Sequence, residues 1–329
     1  MGFNIVSSGS YLPTNQWSDR EMDRFLKLAP GTCRNKFDVE YRHVANTKET
    51  AIYMAVQAIE QCLGNIHTLS SVDLLIYASG THHQSLPYDA SAVLAALDAP
   101  TWLESFDLNS TCLSFLSALD LAQSLFFAKR YRRILIVTSE LATGITLNRN
   151  FTLKPEVATL FADGAAAFLL EEQNGDGLLT SHFETHHTGY SFCQIKGGGS
   201  HVNPHTSEHQ AYLKSCQFEM EGKALFKHVR KTLPAFLKKG FDSSPVTLSD
   251  IDYFLPHQAS AHGLKKLPSL TGLPTEKTVN HFSTLGNQVA ASLPINLHWL
   301  RNQPETAGKH VLLAGTAAGL SLGMGVLKL

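Results

Sequence analysis

The nine residues "LSSVDLLIY", 69–77, recur in altered form as "LSDIDYFLP" at residues 248–256, an offset of 179. A second pair, "RRILIVTSE" at 132–140 and "KHVLLAGTA" at 309–317, is offset by 177. Two matches at nearly the same offset indicate that the chain consists of two related halves. The polar, turn-rich stretch 172–177 places the boundary between them. We therefore predict two halves, residues 1–174 and 175–329.

Around these repeats, apolar runs alternate with segments of helical period. The predicted strands are 72–79, 103–108, 133–140, 164–171, 251–258 and 310–316, and the predicted helices lie near 46–63, 88–97, 112–130, 218–239 and 289–302. Such alternation is typical of α/β layers. Runs such as "ILIV" at 134–137 are apolar on both faces, which indicates sheets covered by helices on both sides. The fold class is therefore α/β, with a duplicated unit.

Composition limits the classes of function. The 329 residues are 43% hydrophobic and 17% charged with a net charge of −1, so no overall field attracts nucleic acid or an anionic membrane. The five cysteines include no CxxC pair, which favours reduced thiols over disulfides or zinc. The first residues lack the basic and apolar regions of a signal peptide, so none is expected, and no apolar stretch reaches about 18 residues. We expect a soluble cytoplasmic protein with no nucleic-acid partner and no membrane span.

Cys112 is the first candidate for chemistry. The stretch "DLNSTCLSFLSALDLAQ", 107–123, places it where an apolar strand gives way to a helix. The positive end of a helix dipole lowers a thiol pKa and favours the nucleophilic thiolate. Cysteine is also among the most buried residue types, and Cys112 could simply pack beside the small side chains that follow it. The residues alone leave both interpretations open.

His257 and Asn287 form a second candidate group, in the other half of the chain. His257 closes an apolar strand, so its imidazole belongs at the carboxyl end of a strand, where α/β sheets bind ligands. Asn287 lies at a turn before a helix of small residues, where asparagine is usually a cap. Together with Cys112, the two residues have the placement that a site shared between two halves requires.

Other motifs carry weaker signals. Segment 186–216 is polar and rich in glycine and histidine without sustained period, so it is predicted to be a long surface loop. Its His201, His205 and His209 have a spacing that could ligate a metal on a helix, but Pro204 interrupts that helix. No metal site is predicted.

At its catalytic motifs the chain resembles the β-ketoacyl-[acyl-carrier-protein] synthase III family of the thiolase superfamily. "STCLSFLSALDLA" resembles the family's nucleophile stretch, "HQAS" (257–260) its His-Gln-Ala-Asn motif, and "GNQVAAS" (286–292) its Gly-Asn-x-x-x-Ala-Ser motif. The similarity runs through nearly the whole chain. It implies a thiolase-like, five-layered αβαβα fold, a homodimer, and thioester substrates without a further cofactor.

The resemblance also implies a role for each matching residue. Cys112 would attack an acyl thioester primer and hold the acyl group, while His257 and Asn287 would hydrogen-bond the thioester oxygen of a malonyl unit on acyl carrier protein. The enolate left by loss of CO₂ would attack the acyl-enzyme, giving a 3-oxoacyl thioester. Backbone N–H groups of Cys112 and Ala318 would form the oxyanion hole, and Leu86 would reach into the partner subunit's acyl pocket.

Carrier-protein docking is predicted at Lys265 and Lys266, although two such lysines are by default a solvated face. Ser260 replaces the asparagine of the His-Gln-Ala-Asn motif, a departure from the family pattern. The leading hypothesis is a condensing enzyme of fatty acid, specialised lipid or secondary-metabolite synthesis. Two alternatives are an acyltransferase that passes the acyl group from Cys112 to an alcohol or amine, and a non-catalytic partner subunit of another synthase.

Overall fold

The computed structural model describes residues 2–146, 154–175, 177–242 and 244–329. The strands are β1 (Gly2–Tyr11), β2 (Gln16–Ser18), β3 (Tyr41–His43), β4 (Leu74–Tyr77), β5 (Glu104–Asp107), β6 (Arg133–Leu141), β7 (Asp163–Gln173), β8 (Leu178–Thr185), β9 (Cys193–Gln194), β10 (Glu219–Met220), β11 (Tyr253–Pro256), β12 (His310–Ala317) and β13 (Ser321–Lys328). The helices are α1 (Asp19–Phe25), α2 (Thr32–Phe37), α3 (Ala51–Leu63), α4 (Asp89–Ala96), α5 (Ser114–Phe127), α6 (Thr143–Thr146), α7 (Pro155–Ala158), α8 (His209–Ser215), α9 (Gly222–Asp242), α10 (Ala261–Thr271), α11 (Phe282–Leu285) and α12 (Ser292–Arg301).

Two main sheets repeat one topology. Within the described residues, the first has the strand order β1-β7-β6-β4-β5, and the second has the order β8-β13-β12-β11. The strand directions repeat as well: β4 and β6 are parallel like β11 and β12, whereas β6 and β7 are antiparallel like β12 and β13. The duplication predicted from the sequence is therefore present in the fold. The boundary between residues 174 and 175 is our proposal, and it falls between the end of β7 and the start of β8.

Helices cover both faces of both sheets. Helices α5 and α12 lie between the sheets and contact strands of each, α5 touching β1 and β8, and α12 touching β7 and β11. Helix α3 packs on the outer face of the first sheet against β1, β6 and β7, with α4 beside it. Helix α9 packs against β8 and β13 on the far side of the second sheet, and α10 packs on α9. The described chain thus has the predicted αβαβα layers.

The central strands are apolar on both faces because helices cover both faces of the sheets. All four residues of β4 are buried, and the largest core cluster draws on α5, α12 and both sheets. Each fully buried leucine, isoleucine or phenylalanine in such a core contributes about 1.5–3 kcal/mol relative to exposure. Helix α12 is buried at seven of its ten positions, and these include the polar side chains of Ser292 and Asn296.

Two predictions from sequence differ from the structure. Periodicity does not predict strands β1, β8 and β13. In β1 and β13 the glycine and serine of "GFNIVSSGSY" and "SLGMGVLK" weaken the strand signal, and β8, "LLTSHFET", lacks a sustained apolar run. Segment 186–216 is not a single loop, since it contains a 3-10 turn at His187–Phe192, strand β9 and helix α8. No helix in the described part of the chain combines the length and apolarity that crossing a membrane requires.

The contact between β1 and α3 should be intolerant of any added atom at Gly9. A Cβ at this position would overlap the Ala58 carbonyl oxygen and lie 2.5 Å from the Cys62 backbone nitrogen, and neither backbone atom can move freely. We expect Gly9→Ala to lower the free energy of unfolding by about 1–3 kcal/mol, measured by urea denaturation. The matched control is Gly199→Ala, because an added Cβ there meets nothing within 4 Å. Equal stability of the two variants would contradict this packing.

Candidate active site

Two similar turns start the two helices of the central layer. The turn Thr111–Leu113 precedes α5, and the turn Val289–Ala291 precedes α12. Thr111 and Val289 both have positive φ, at 50° and 48°. The Asn109 Oδ1 accepts the Thr111 N–H at 2.8 Å, and the Asn287 Oδ1 accepts the Val289 N–H at 2.9 Å. The duplicated halves therefore bring two equivalent turns into the middle of the molecule, and Cys112 lies on the first.

Cys112 lies partly buried between the two turns and the end of β12. Burial raises the pKa of its thiol to about 12, and the nearby carboxylate of Glu140 and thiol of Cys193 act in the same direction. The backbone N–H groups of Ala318 and of Cys112 itself hydrogen-bond the sulfur and oppose this rise. The expectation of a lowered thiol pKa was wrong, because burial and the Glu140 charge outweigh the helix N-terminus. The resting nucleophile is a neutral thiol.

His257 follows β11 directly and is held against the neighbouring strand β12. The backbone N–H of His257 donates to the Ala314 carbonyl oxygen at 2.8 Å. A Cβ at Gly315 would lie 2.7 Å from the His257 Cβ, so the close approach of strand and histidine requires glycine there. Burial lowers the pKa of His257 to about 4, and its Nδ1 has no hydrogen-bond partner among the described residues. The imidazole is therefore neutral at neutral pH.

Asn287 uses its two side-chain groups differently. Its Oδ1 is occupied by the turn, while its Nδ2 donates to the Ala259 carbonyl oxygen at 3.5 Å. The Ala259 N–H in turn donates to the His257 carbonyl oxygen at 2.8 Å. This chain of bonds links His257 to Asn287. Fixing Oδ1 fixes the orientation of the amide, so that Nδ2 presents its second N–H away from the turn.

The end of β12 links this pair to Cys112. Gly315 contacts His257, and the position of its missing Cβ lies 3.4 Å from the Leu113 side chain, next to Cys112. Three residues further along, the Ala318 N–H reaches the Cys112 sulfur. The structure therefore brings the predicted residues Cys112, His257, Asn287 and Ala318 to one region.

The other residues singled out in the sequence lie apart from this group. Leu86 is 85% exposed on the loop before α4. Lys265 and Lys266 are exposed on α10, where Lys265 forms an ion pair with Asp38 at 3.4 Å. Ser260 is the N-cap of α10, with its hydroxyl accepting the Gly263 N–H at 3.2 Å. A serine at this motif position is thus explained by helix capping.

Glu140, near the end of β6, was missed by the sequence analysis. It is fully buried and lies close enough to Cys112 for its charge to act on the thiol. Burial raises its pKa to about 7, although several hydrogen bonds oppose the shift. An acidic residue closing a strand that is apolar on both faces, as in "ILIVTSE", is the signal that could have identified it.

One group of potential metal ligands occurs in the described part of the chain. Ligand atoms of His82, Asp89 and Asp107 lie within 4.8 Å of one another. The Asp107 carboxylate accepts the backbone N–H groups of Asp89 and Ala90, each at 2.8 Å. Since these bonds satisfy the start of α4, a structural role accounts for Asp107 without a metal.

Comparison with known proteins finds two family matches, and each contains part of the candidate site. A family model described as 3-oxoacyl-[acyl-carrier-protein (ACP)] synthase III matches residues 106–187, and its C-terminal counterpart matches residues 241–329. The two matches together span just over half of the chain. The chain belongs to this family. One match contains Cys112 and the other contains His257, Asn287 and Ala318.

Individual relatives cover the chain from end to end. The β-ketoacyl-[acyl-carrier-protein] synthase III of Rickettsia prowazekii is 28% identical over 326 residues, 98% of each chain. The structure of 3-oxoacyl-[acyl-carrier-protein] synthase III from Aquifex aeolicus has a TM-score of 0.87 at 23% identity and covers all of both chains. The priming β-ketosynthase of the R1128 polyketide pathway has a TM-score of 0.85 at 22% identity, covering 100% of this chain and 96% of its own. These structural similarities show a shared thiolase fold.

The buried imidazole of His257 should make stability depend on pH. Its folded pKa of about 4 lies below the ordinary value of 6.5, so as pH falls below 6.5 the unfolded chain binds a proton that the folded chain excludes. Between about pH 7.5 and 5, wild type should lose about 2 kcal/mol of unfolding free energy that the variant His257→Asn keeps. Urea denaturation of both proteins at each pH measures this. A constant difference between them would contradict a buried neutral imidazole.

Proposed function

We propose that the protein is an acyltransferase that condenses an acyl primer with a malonyl unit carried by acyl carrier protein. The observation that carries this proposal is the placement of the Cys112 thiol under two backbone N–H groups, next to the neutral donors His257 and Asn287. A nucleophile, an oxyanion site and a separate pair of donors are what a two-step condensation needs. Membership of the synthase III family supports the same chemistry.

In the first step, the Cys112 sulfur attacks the carbonyl carbon of the primer thioester. The oxyanion of the tetrahedral intermediate is held by the N–H groups of Cys112 and Ala318. The carbon–sulfur bond to the carrier then breaks, and the departing thiolate takes up the proton that the Cys112 thiol gave up. Because burial raises the pKa of this thiol to about 12, removing its proton adds to the barrier of the loading step. The products are acyl-Cys112 and a free carrier thiol.

In the second step, the malonyl thioester oxygen accepts hydrogen bonds from His257 and Asn287. These bonds stabilise the enolate that forms when the carbon–carbon bond to the carboxylate breaks and CO₂ departs. The enolate carbon attacks the carbonyl of acyl-Cys112, a new carbon–carbon bond forms, and the Cys112 thiolate leaves and regains a proton. Neutral donors suit this step, since a fixed cation could pair with the malonyl carboxylate and oppose the loss of CO₂.

Loading of Cys112 can be measured directly. Wild-type protein incubated with acyl-coenzyme A and acyl-carrier-protein thioesters of graded length should gain the mass of one acyl group, and Cys112→Ala should gain none. With malonyl carrier protein present, loaded wild type should release CO₂ and a 3-oxoacyl thioester. His257→Ala or Asn287→Ala should load but lower CO₂ release by about 10²–10³-fold.

The outcomes separate the rival functions. Loading followed by transfer of the acyl group to an alcohol or amine without malonyl substrate would establish the simple acyltransferase. No adduct with any donor would favour the non-catalytic partner subunit. The primer that loads fastest would indicate whether the protein acts in fatty acid, specialised lipid or secondary-metabolite synthesis.

Carrier-protein docking is proposed near the surface formed by α9 and α10. Helix α9 exposes the basic side chains Lys223, Lys227, Arg230 and Lys231 at helical spacing, and it packs against α10, which carries Lys265 and Lys266. A row of cations on adjacent helices suits an acidic carrier.

Charge reversal tests the docking surface. Lys265→Glu with Lys266→Glu should raise KM for the carrier-bound malonyl substrate severalfold while leaving kcat within about twofold, because surface charges act mainly on encounter. The matched control reverses two exposed cations elsewhere, Lys129→Glu with Arg132→Glu, and should leave KM unchanged. An unchanged KM in the first variant would exclude Lys265 and Lys266 from the docking surface.

A homodimer is proposed in which the β5 edge of the first sheet forms the interface. Strand β5 is the last strand in the order, and the exposed apolar side chains Leu86, Tyr88 and Trp102 lie in the segments that flank it or precede α4. Exposed aromatic and aliphatic side chains beside an unpaired sheet edge are typical of an interface. In such a dimer Leu86 would enter the partner's acyl pocket.

A cytoplasmic location also stays a prediction.

A further inference from the structure

Glu140 joins the two halves of the molecule at the active site. Its Oε1 accepts the Gly80 N–H at 2.5 Å and the Ala290 N–H at 3.3 Å. Its Oε2 accepts the Thr81 N–H at 3.1 Å and the Thr81 hydroxyl at 2.5 Å. Gly80 and Thr81 belong to the first half and Ala290 to the second. One buried carboxylate therefore holds backbone groups from both halves.

Gly80 is wedged between the two turns that carry the site. A Cβ on Gly80 would lie 2.7 Å from the Val289 side chain and 3.2 Å from the Thr111 Cα. Thr111 precedes Cys112, and Val289 is two residues after Asn287. The carboxylate that binds the Gly80 N–H also binds the Ala290 N–H, next to Val289. Its position thus sets the spacing between the turn of Cys112 and the turn of Asn287.

The charge of Glu140 works against the nucleophile. Its four hydrogen-bond donors are all neutral, so no cation among them offsets the carboxylate. Burial is the main cause of the raised Cys112 pKa, and Glu140 is the first charged group to add to it, followed by Cys193. A residue that helped only the loading step would not carry a charge that hinders thiolate formation. Its benefit must lie elsewhere in the reaction.

We propose that Glu140 is a positioning residue for the condensation step, which holds the amide of Asn287 in register with Cys112 through Gly80, Thr81 and Ala290. The inference rests on the proposed function. Loss of this link should leave Cys112 able to load a primer, while Asn287 no longer meets the malonyl thioester oxygen correctly. A displacement of about 1 Å at such a group costs about 10²-fold in rate.

The test is the variant Glu140→Gln, measured in three assays. Loading of Cys112 with an acyl donor, followed by intact mass, should stay within about threefold of wild type. Release of CO₂ from malonyl carrier protein should fall about 10²-fold. Alkylation of Cys112 by iodoacetamide at about pH 8, followed on the Cys112 peptide, should become several times faster, because removing the carboxylate lowers the thiol pKa. The split between loading and CO₂ release separates this role from a merely structural one, which would lower both together, while the alkylation rate tests whether the carboxylate acts on the thiol.

Two further variants act as controls. Asp163→Asn removes another buried carboxylate that accepts neutral donors, from Ala45 and Thr143, but that is not among the main influences on the Cys112 thiol. It should leave alkylation unchanged. Thr81→Val removes only one O–H donor to Glu140 and keeps the charge. It should lower CO₂ release by a smaller factor than Glu140→Gln, again with unchanged alkylation. If Glu140→Gln does not fold, Thr81→Val tests the link in its place.

Each outcome decides the inference. Loading and CO₂ release that fall together in Glu140→Gln would overturn it at any alkylation rate, as would undiminished CO₂ release in both Glu140→Gln and Thr81→Val. If wild-type protein loads Cys112 but releases no CO₂ from any malonyl substrate, the proposed function fails first, and the role of Glu140 in condensation fails with it. That result differs from failure of the inference alone, in which wild type condenses normally.

Discussion

Two helices begin in the interior of this molecule, and the buried backbone N–H groups around their starts need hydrogen-bond partners from the protein. A helix that starts at the surface can leave its first N–H groups to water, but α5 and α12 start between two sheets. In the turns that lead into these helices, side chains at equivalent positions accept the backbone N–H groups and so cap the turns: Asn109 and Ser114 in the first turn, Asn287 and Ser292 in the second. The reactive groups lie among these caps. The candidate site therefore lies where two buried turns have their backbone N–H groups capped by side chains.

Duplication brings two equivalent turns together but leaves their chemistry different. Cys112 follows Thr111 in the first turn, and Ala290 follows Val289 in the equivalent place of the second. The first turn thus offers a nucleophile, whereas the second offers the amide of Asn287 and a backbone N–H that Glu140 accepts. The residues after equivalent strands also differ between the halves. His257 follows β11, whereas the equivalent strand β4 is followed by small residues that lead to Gly80. Each half is incomplete, so the site exists only where they meet.

The sequence predicts the layered fold because its strongest signals are local. Strands β4, β6, β11 and β12 are short apolar runs, and the two repeats at offsets of 179 and 177 coincide with them. Strands β1, β8 and β13 lack that signal, because β1 and β13 contain several glycine and serine residues, β8 is mostly polar, and all three pair with neighbours far along the chain. Cys112, His257 and Asn287 could be singled out from motifs. The thiol pKa could not, because it depends on burial and on Glu140, 28 residues away in sequence.

The electrostatics of the site explain why nucleophile strength and condensation can be at odds. The groups nearest the proposed malonyl oxygen are neutral, since burial keeps His257 unprotonated and Asn287 carries no charge. In a region that excludes water, neutral N–H donors stabilise a developing enolate strongly without attracting the carboxylate that must leave. The same exclusion of water raises the Cys112 pKa. Exclusion of water therefore makes loading of Cys112 harder and decarboxylation of the malonyl unit easier. The backbone N–H groups of Cys112 and Ala318 act on the loading step, which the raised thiol pKa opposes.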